Sequence, residues 1–349
     1  MLVVGGGING TGIARDLAGR GLKVVLAERD DLAAHTSSAS TKLIHGGLRY
    51  LEHGEFALVR KSLQEREVLM RSAPHLMWPL RFVLPHDASM RPAWMIRAGL
   101  FLYDHLARRE VLPASGALDL RQHPAGRALQ PHLRRAFAYS DGWVDDARLV
   151  VACALDARER GATVLTRMRC VRAEAVEGTS AAATAAPGSV GMTGPGGAWR
   201  ATLDGAGGSR EVFARALVNA AGPWAADFLQ QAVRGPEGAV PAVHALRRVQ
   251  GTHIVVRRRH AGPEAFLFQS PDGRVIFAIP YEDDFTLIGT TDHEVHGPLD
   301  RARASDEEVA YLCAQASRWL AQPVTPADVV WRYAGVRPLL DDEAGDPSA

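Results

Sequence analysis

Leu2-Val3-Val4-Gly5-Gly6-Gly7-Ile8-Asn9-Gly10 opens the chain, and this stretch decides how the rest is read. Leu2 to Val4 is a short apolar run that predicts a buried strand. Gly5, Gly7 and Gly10 then stand as G-x-G-x-x-G, where the missing side chains let backbone approach a pyrophosphate. Thr11 to Arg20 has helical spacing, with Ile13 and Leu17 on one face, and Gly21 ends it. Lys23 to Ala27 predicts a second strand, closing on Glu28. Strand, glycine turn, helix, strand and acid form the dinucleotide-binding βαβ unit. The pyrophosphate lies at the helix N-terminus, and the acid accepts from ribose hydroxyls.

The rest of the chain is compatible with that start. A length of 349 residues, 47% hydrophobic and 23% charged, predicts a globular protein of two domains. Forty basic against 39 acidic residues leave a net charge of +1, which argues against a nucleic-acid partner. The three cysteines, Cys153, Cys170 and Cys313, form no C-x-x-C pair, so no disulfide framework, zinc ribbon or iron–sulfur site is expected, nor any metal. No apolar run reaches the roughly 18 residues of a bilayer span, and the N-terminus lacks the order of a signal peptide. Lysine occurs only as Lys23, Lys42 and Lys61.

Glu55 to Ala73 predicts an amphipathic helix packed at the surface, through Phe56, Val59, Leu63 and Met70 with charges between them. Met95 to Arg109 predicts another, whose aromatic and Arg residues suit either core packing or a membrane surface. Thr179 to Gly197 reads as a loop between strands. Ala216 to Gly222 predicts a buried strand ending in a glycine turn. Thr252–Val256, Ala265–Phe268, Val275–Ile279 and Thr286–Gly289 predict an antiparallel sheet, with Pro271-Asp272-Gly273 as a turn. The fold class is α/β: a Rossmann-like nucleotide domain interrupted by an antiparallel-sheet domain.

After Glu28 comes Thr36-Ser37-Ser38-Ala39-Ser40-Thr41-Lys42-Leu43-Ile44-His45-Gly46-Gly47-Leu48-Arg49-Tyr50. Small hydroxyl residues before a Gly-Gly pair give a backbone able to press against a flat ring. His45, Arg49 and Tyr50 add a titratable group, a fixed cation and a phenol. On spacing alone, a serine-rich loop leading into a helix remains the plain alternative.

Ser37 to Glu52 resembles the FAD-dependent glycerol-3-phosphate dehydrogenases, the aerobic respiratory type in particular. The likeness continues through Arg91–Arg97, Tyr103–Leu106, Tyr139–Leu149, Val218–Trp224, Gly289–Asp292 and Gly335–Leu339. The resemblance implies FAD as cofactor in a glycine-oxidase-like flavoprotein fold, with an antiparallel substrate or cap domain. The implied activity is oxidation of sn-glycerol 3-phosphate to dihydroxyacetone phosphate. It implies a quinone as electron acceptor, cytoplasmic location with peripheral attachment to the inner face of the cell membrane, and a homodimer as one assembly.

By that match Gly5, Gly7, Gly10 and Glu28 bind the ADP half of FAD. Ser38, Thr41, Lys42, Leu43, Gly46 and Gly47 form the flavin-side loop. Val171 meets the adenine through its backbone, and Gly222 and Trp224 close the wall. Arg49 and Arg337 are the phosphate-holding candidates, because arginine offers bidentate geometry, with Tyr50 as a further donor. His45 is favoured as the base for the hydroxyl proton and His253 as a second substrate contact. The FAD domain is expected over 1–75 and 145–235, the substrate domain over 76–144 and 236–335, and a return to the FAD domain from 336 to 349. Relatives run on past Asp341-Asp342-Glu343 to a flavin-closing segment, so a fragment is expected, with FAD retention in question. The alternatives are a glycerol-3-phosphate oxidase, an amine or amino-acid oxidase in which Arg337 holds a carboxylate, and an inactive nucleotide-binding remnant. An NAD-dependent enzyme is the weakest, because it gives the serine-rich loop no role.

Overall fold

The computed structural model describes residues 1–87, 90–176, 198–243, 245–299 and 302–340; the expected loop Thr179 to Gly197 lies outside them. The chain divides into two compact units. The first comprises Met1–Ser38, Asp146–Val249 and a piece beginning at Val336; the second comprises Ala39–Asp145 and Gln250–Gly335.

In the first unit, a four-stranded parallel sheet runs in the order Leu217–Asn219, Leu2–Val4, Val25–Ala27, Thr163–Leu165. Leu2 pairs with both Leu217 and Val25, so the opening strand is central and apolar on both faces. Helices Ile8–Gly19 and Asp146–Glu159 pack together over it, joined outside by Arg15 to Asp156 at 2.5 Å. The first helix buries Gly10, Thr11, Ala14 and Ala18, while Ile13 is 37% exposed. Of the expected Ile13–Leu17 face, Leu17 packs on the core and Ile13 turns outward, while a stripe of small side chains lets the helix lie close on the sheet. A second sheet, ordered Gly208–Ala214, Ala198–Gly205, Met168–Val176, Val233–Arg234, packs its apolar face through Cys170, Ala173 and Leu203 against Leu2, Val25 and Phe228.

The second unit is built on a ten-stranded sheet. Its path runs His293–Glu294, Leu246–Arg257, Phe285–Gly289, Val275–Tyr281, Ala265–Gln269, Met77–His86, Arg135–Val144, Leu43–Ile44. Val329–Leu340 adds beside Leu246–Arg257, and Gly116–Asp119 beside Arg135–Val144. Antiparallel hairpins are joined by a parallel pairing, Ala265 to Phe82. Alternation sorts the core into two layers. Ile254, Val256, Phe266 and Phe268 face helix Asp306–Ser317. Val255, Ala265 and Leu267 face helices Phe56–Ser72 and Ala93–His105.

This division corrects the expected boundaries at 75 and 235. Residues 39–75 belong to the second unit, because Leu43–Ile44 pairs with Gly142–Trp143, and Val59 and Leu63 share a core with Phe82 and Tyr139. Residues 236–249 belong to the first, where the Arg248 guanidinium donates to Asp227 at 2.7 Å.

Candidate active site

In the first unit the glycine turn is held tightly. Gly5 stands at φ +116° and its N–H donates to the Ala27 carbonyl at 2.9 Å. A Cβ on Gly10 would collide with the Gly5 carbonyl, and one on Gly7 would lie 3.0 Å from Ser37 Oγ. Gly7 caps the helix without a side-chain acceptor of its own; Ile8 N–H donates to Ser37 Oγ at 3.0 Å, and a helix N-terminus of this kind suits an anion. Glu28 is 8% exposed. Its carboxylate accepts from Gly6 N–H at 2.6 Å and from Asp30 N–H at 2.8 Å, which ties the second strand's end to the turn. Each oxygen keeps a second lone pair for a ribose hydroxyl.

Val171 lies in a β-bulge: Cys170 pairs with Leu203 and Arg172 with Thr202, so Val171 drops out of that ladder. Gly222, at φ +55°, opens the short helical turn to Trp224, whose indole lies 4.1 Å beneath the Arg29 guanidinium and 4.6 Å from the His35 ring. Ser38 Oγ donates to the His35 carbonyl at 3.0 Å. Neighbouring Thr36 donates to the Val336 carbonyl at 2.6 Å, which brings the strand bearing the exposed Arg337 to this loop.

The flavin-side loop of the second unit is held by pairing and by burial. Lys42 occupies the left-handed region at φ +59°, its N–H donating to Ser40 Oγ at 2.9 Å. Leu43 and Ile44 then pair with Trp143 and Gly142, and that register sets His45 opposite Asp141. His45 Nδ1 lies 3.4 Å from Asp141 Oδ2, and Gly46 N–H donates to Asp141 Oδ1 at 3.1 Å. A Cβ on Gly46 would collide with the Tyr103 hydroxyl and Leu63. Gly47, at φ +79°, turns the chain into Leu48–His53, where Tyr50 is 39% exposed; the Arg49 side chain lies outside what is described. Thr41 Oγ1 lies 2.9 Å from His253 Nε2, and the His253 ring stacks on Tyr333 at 4.9 Å. His253 is 2% exposed, so it braces the loop through Thr41.

Three residues with no assigned role hold this loop. Asp141, 1% exposed, accepts on Oδ1 from Arg66, from the Tyr103 hydroxyl at 2.9 Å and from Gly46. Burial pushes its carboxyl up, but the His45 hydrogen bond, the Arg66 charge and the Tyr103 hydrogen bond outweigh that and hold it below the usual carboxylate value. Arg66, also 1% exposed, is one of the charges that lie between the apolar positions of its helix, and it is buried with them. The signal was present, because Val59, Leu63, Arg66 and Met70 share one helical stripe.

Residues 1–348 match the model of the family described as FAD dependent oxidoreductase, and the chain belongs to that family. It is 52% identical over 350 residues to the glycerol-3-phosphate dehydrogenase of Pseudomonas aeruginosa, covering 100% of this chain and 63% of that protein. It is 47% identical over 349 residues to the D-erythritol 1-phosphate dehydrogenase of Brucella abortus, covering 100% of this chain and 65% of that one. Among solved structures, the glycerol-3-phosphate dehydrogenase from Bacillus halodurans complexed with FAD is similar at TM-score 0.71 and 27% identity, over 98% of this chain and 57% of that chain. The chain thus spans a little under two thirds of these relatives' length. The Rossmann-like domain and antiparallel partner expected from the sequence are borne out, and FAD is the cofactor. The turn where a Cβ on Gly5 or Gly10 would meet backbone, the helix start capped by glycine and the buried Glu28 carboxylate all fit its ADP half.

Proposed function

We propose that the protein oxidises sn-glycerol 3-phosphate to dihydroxyacetone phosphate and passes the electrons to a quinone. The identity to a glycerol-3-phosphate dehydrogenase over the whole chain carries this reading. Bound FAD supplies the two-electron acceptor. Arg337 and Arg49 hold the phosphate dianion, and Tyr50 donates a further hydrogen bond. His45, exposed at the loop's edge, takes the hydroxyl proton as the C2 hydride leaves. His253 keeps Thr41 and the flavin-side loop in place.

Peripheral attachment to the inner face of the membrane belongs to the same proposal. No helix among the described residues is long and apolar enough to cross a membrane. Helix Ala93–His105, however, turns Trp94, 70% exposed, and Phe101, 55% exposed, outward.

The relative named for D-erythritol 1-phosphate favours a second substrate, again a polyol phosphomonoester. The test is anaerobic addition of each phosphate to the FAD-loaded protein, followed at the flavin absorbance. Faster bleaching by sn-glycerol 3-phosphate is expected. Bleaching by D-erythritol 1-phosphate alone would replace the substrate, and bleaching by neither would reject the reading.

A further inference from the structure

We propose that Asp141 is a positioning residue for His45, holding its imidazole with the proton on Nδ1 and leaving Nε2 as the proton acceptor. The proposal rests on the reading of His45 as the base. It starts from the strand register. With Leu43 opposite Trp143 and Ile44 opposite Gly142, His45 and Asp141 fall opposite one another across an antiparallel pair. The carboxylate divides its work between its two oxygens. Oδ1 accepts from Arg66, Tyr103 and Gly46, whereas Oδ2 meets His45 Nδ1 at 3.4 Å.

The buried charge supports the same assignment. Arg66 and Asp141 are each 1% exposed, and the Arg66 Nε is buried with no partner in the structure. A buried ion pair is weak support for a fold, since apolar residues of similar volume often do as well or better. What the Arg66–Tyr103–Asp141 group does provide is an ionised carboxylate in a fixed place, facing one imidazole nitrogen. An ionised carboxylate has only acceptors, so the proton between the two groups belongs to the histidine. The Nδ1–H tautomer follows, and Nε2 keeps its lone pair. The Phe277 ring, with its centroid 5.4 Å from that of His45, bounds the imidazole on another side. Histidine catalysis depends on this choice of tautomer, which the partner of the second nitrogen sets.

Asp141→Asn tests the assignment. The amide oxygen can still accept from Gly46, Tyr103 and Arg66, but its NH2 replaces Oδ2 and donates to His45 Nδ1, which moves the imidazole proton to Nε2. Anaerobic flavin reduction in the FAD-loaded variant is expected to slow by roughly a hundredfold or more, the usual worth of a general base. Flavin content and thermal midpoint, measured alongside, show whether the variant folds.

A second measurement needs no Asp141 variant. Nitrogen-15 histidine spectra of the native holoenzyme, with the His45 signals identified by their loss in His45→Gln, report the tautomer directly. Nδ1–H supports the proposal; Nε2–H overturns it whatever the rates do. An unchanged reduction rate in a folded Asp141→Asn protein overturns it as well. If His45→Gln reduces its flavin at the native rate, the base reading fails, and the catalytic part of the proposal fails with it.

Discussion

Glu28 is bound into the fold as well as aimed at a ligand. Its two oxygens accept from Gly6 and Asp30 N–H groups, and it is 8% exposed. Glu28→Ala therefore removes a ribose acceptor and leaves the buried Gly6 N–H unpaired, at a cost of about 1–3 kcal/mol in stability. The expected outcome is a lower thermal midpoint together with a lower flavin content after gel filtration; unchanged flavin content would refute the ribose role. At this scale the sequence was informative where one side chain, or its absence, has a single physical use. Gly5, Gly10 and Glu28 were legible because a tight turn, a close approach and an acceptor each admit few residue types. Asp141 was not, because its importance comes from Arg66 and Tyr103, distant in sequence and brought to it only by the fold.

Individual elements were legible in proportion to how well their pattern matched one period. Phe56–Ser72 was recovered almost to the residue by its helical spacing, although a charged residue lies on its buried stripe. Met77–His86 and Arg135–Val144 were missed. The first carries Pro79 and Pro85, which ordinarily argue against an internal strand. The second is buried at nine of its ten positions and so shows no alternation at all. Helix Asp306–Ser317 shows how far one cap reaches. Ser305 Oγ accepts from Glu308 N–H at 3.2 Å while the Glu308 carboxylate accepts from Ser305 N–H at 3.1 Å. That carboxylate also accepts from Thr291 Oγ1 at 2.7 Å and from Gln250 at 2.9 Å, so the helix start is tied to strand Leu246–Arg257 and to the connection after strand Phe285–Gly289. Ser305→Ala should lower unfolding free energy in urea by about 1 kcal/mol, as for other N-caps. A loss below a few tenths would mean that Glu308 holds the junction without its capping partner.

On the scale of the molecule, hydrophobic surface left outside both core layers asks for a partner. Helix Ala93–His105 buries Leu100, Tyr103 and Asp104. On its other side Trp94 is 70%, Met95 41%, Phe101 55% and Leu102 39% exposed. These positions recur at helical spacing, so the helix is apolar on two faces and only one has a core to meet. At its C-terminal end Arg60, His105, Arg108 and Arg109 line a cavity of about 580 Å³. Arg109 is paired with Asp104 at 3.0 Å, so Arg60 and Arg108 are the further cations there; aromatic side chains beside such cations are what an interfacial helix offers an anionic lipid surface. Trp94→Ser with Phe101→Ser removes exposed side chains only, and surface changes of that kind usually leave stability within about 0.5 kcal/mol. Each lost aromatic, if it enters the lipid, is worth about 1.5–3 kcal/mol. The native protein should therefore sediment with phosphatidylglycerol-containing vesicles at low salt, less so at high salt, and the double variant more than tenfold more weakly. Equal sedimentation of the two proteins would move the membrane contact elsewhere. A change in oligomeric state instead would show that this face meets another copy of the chain.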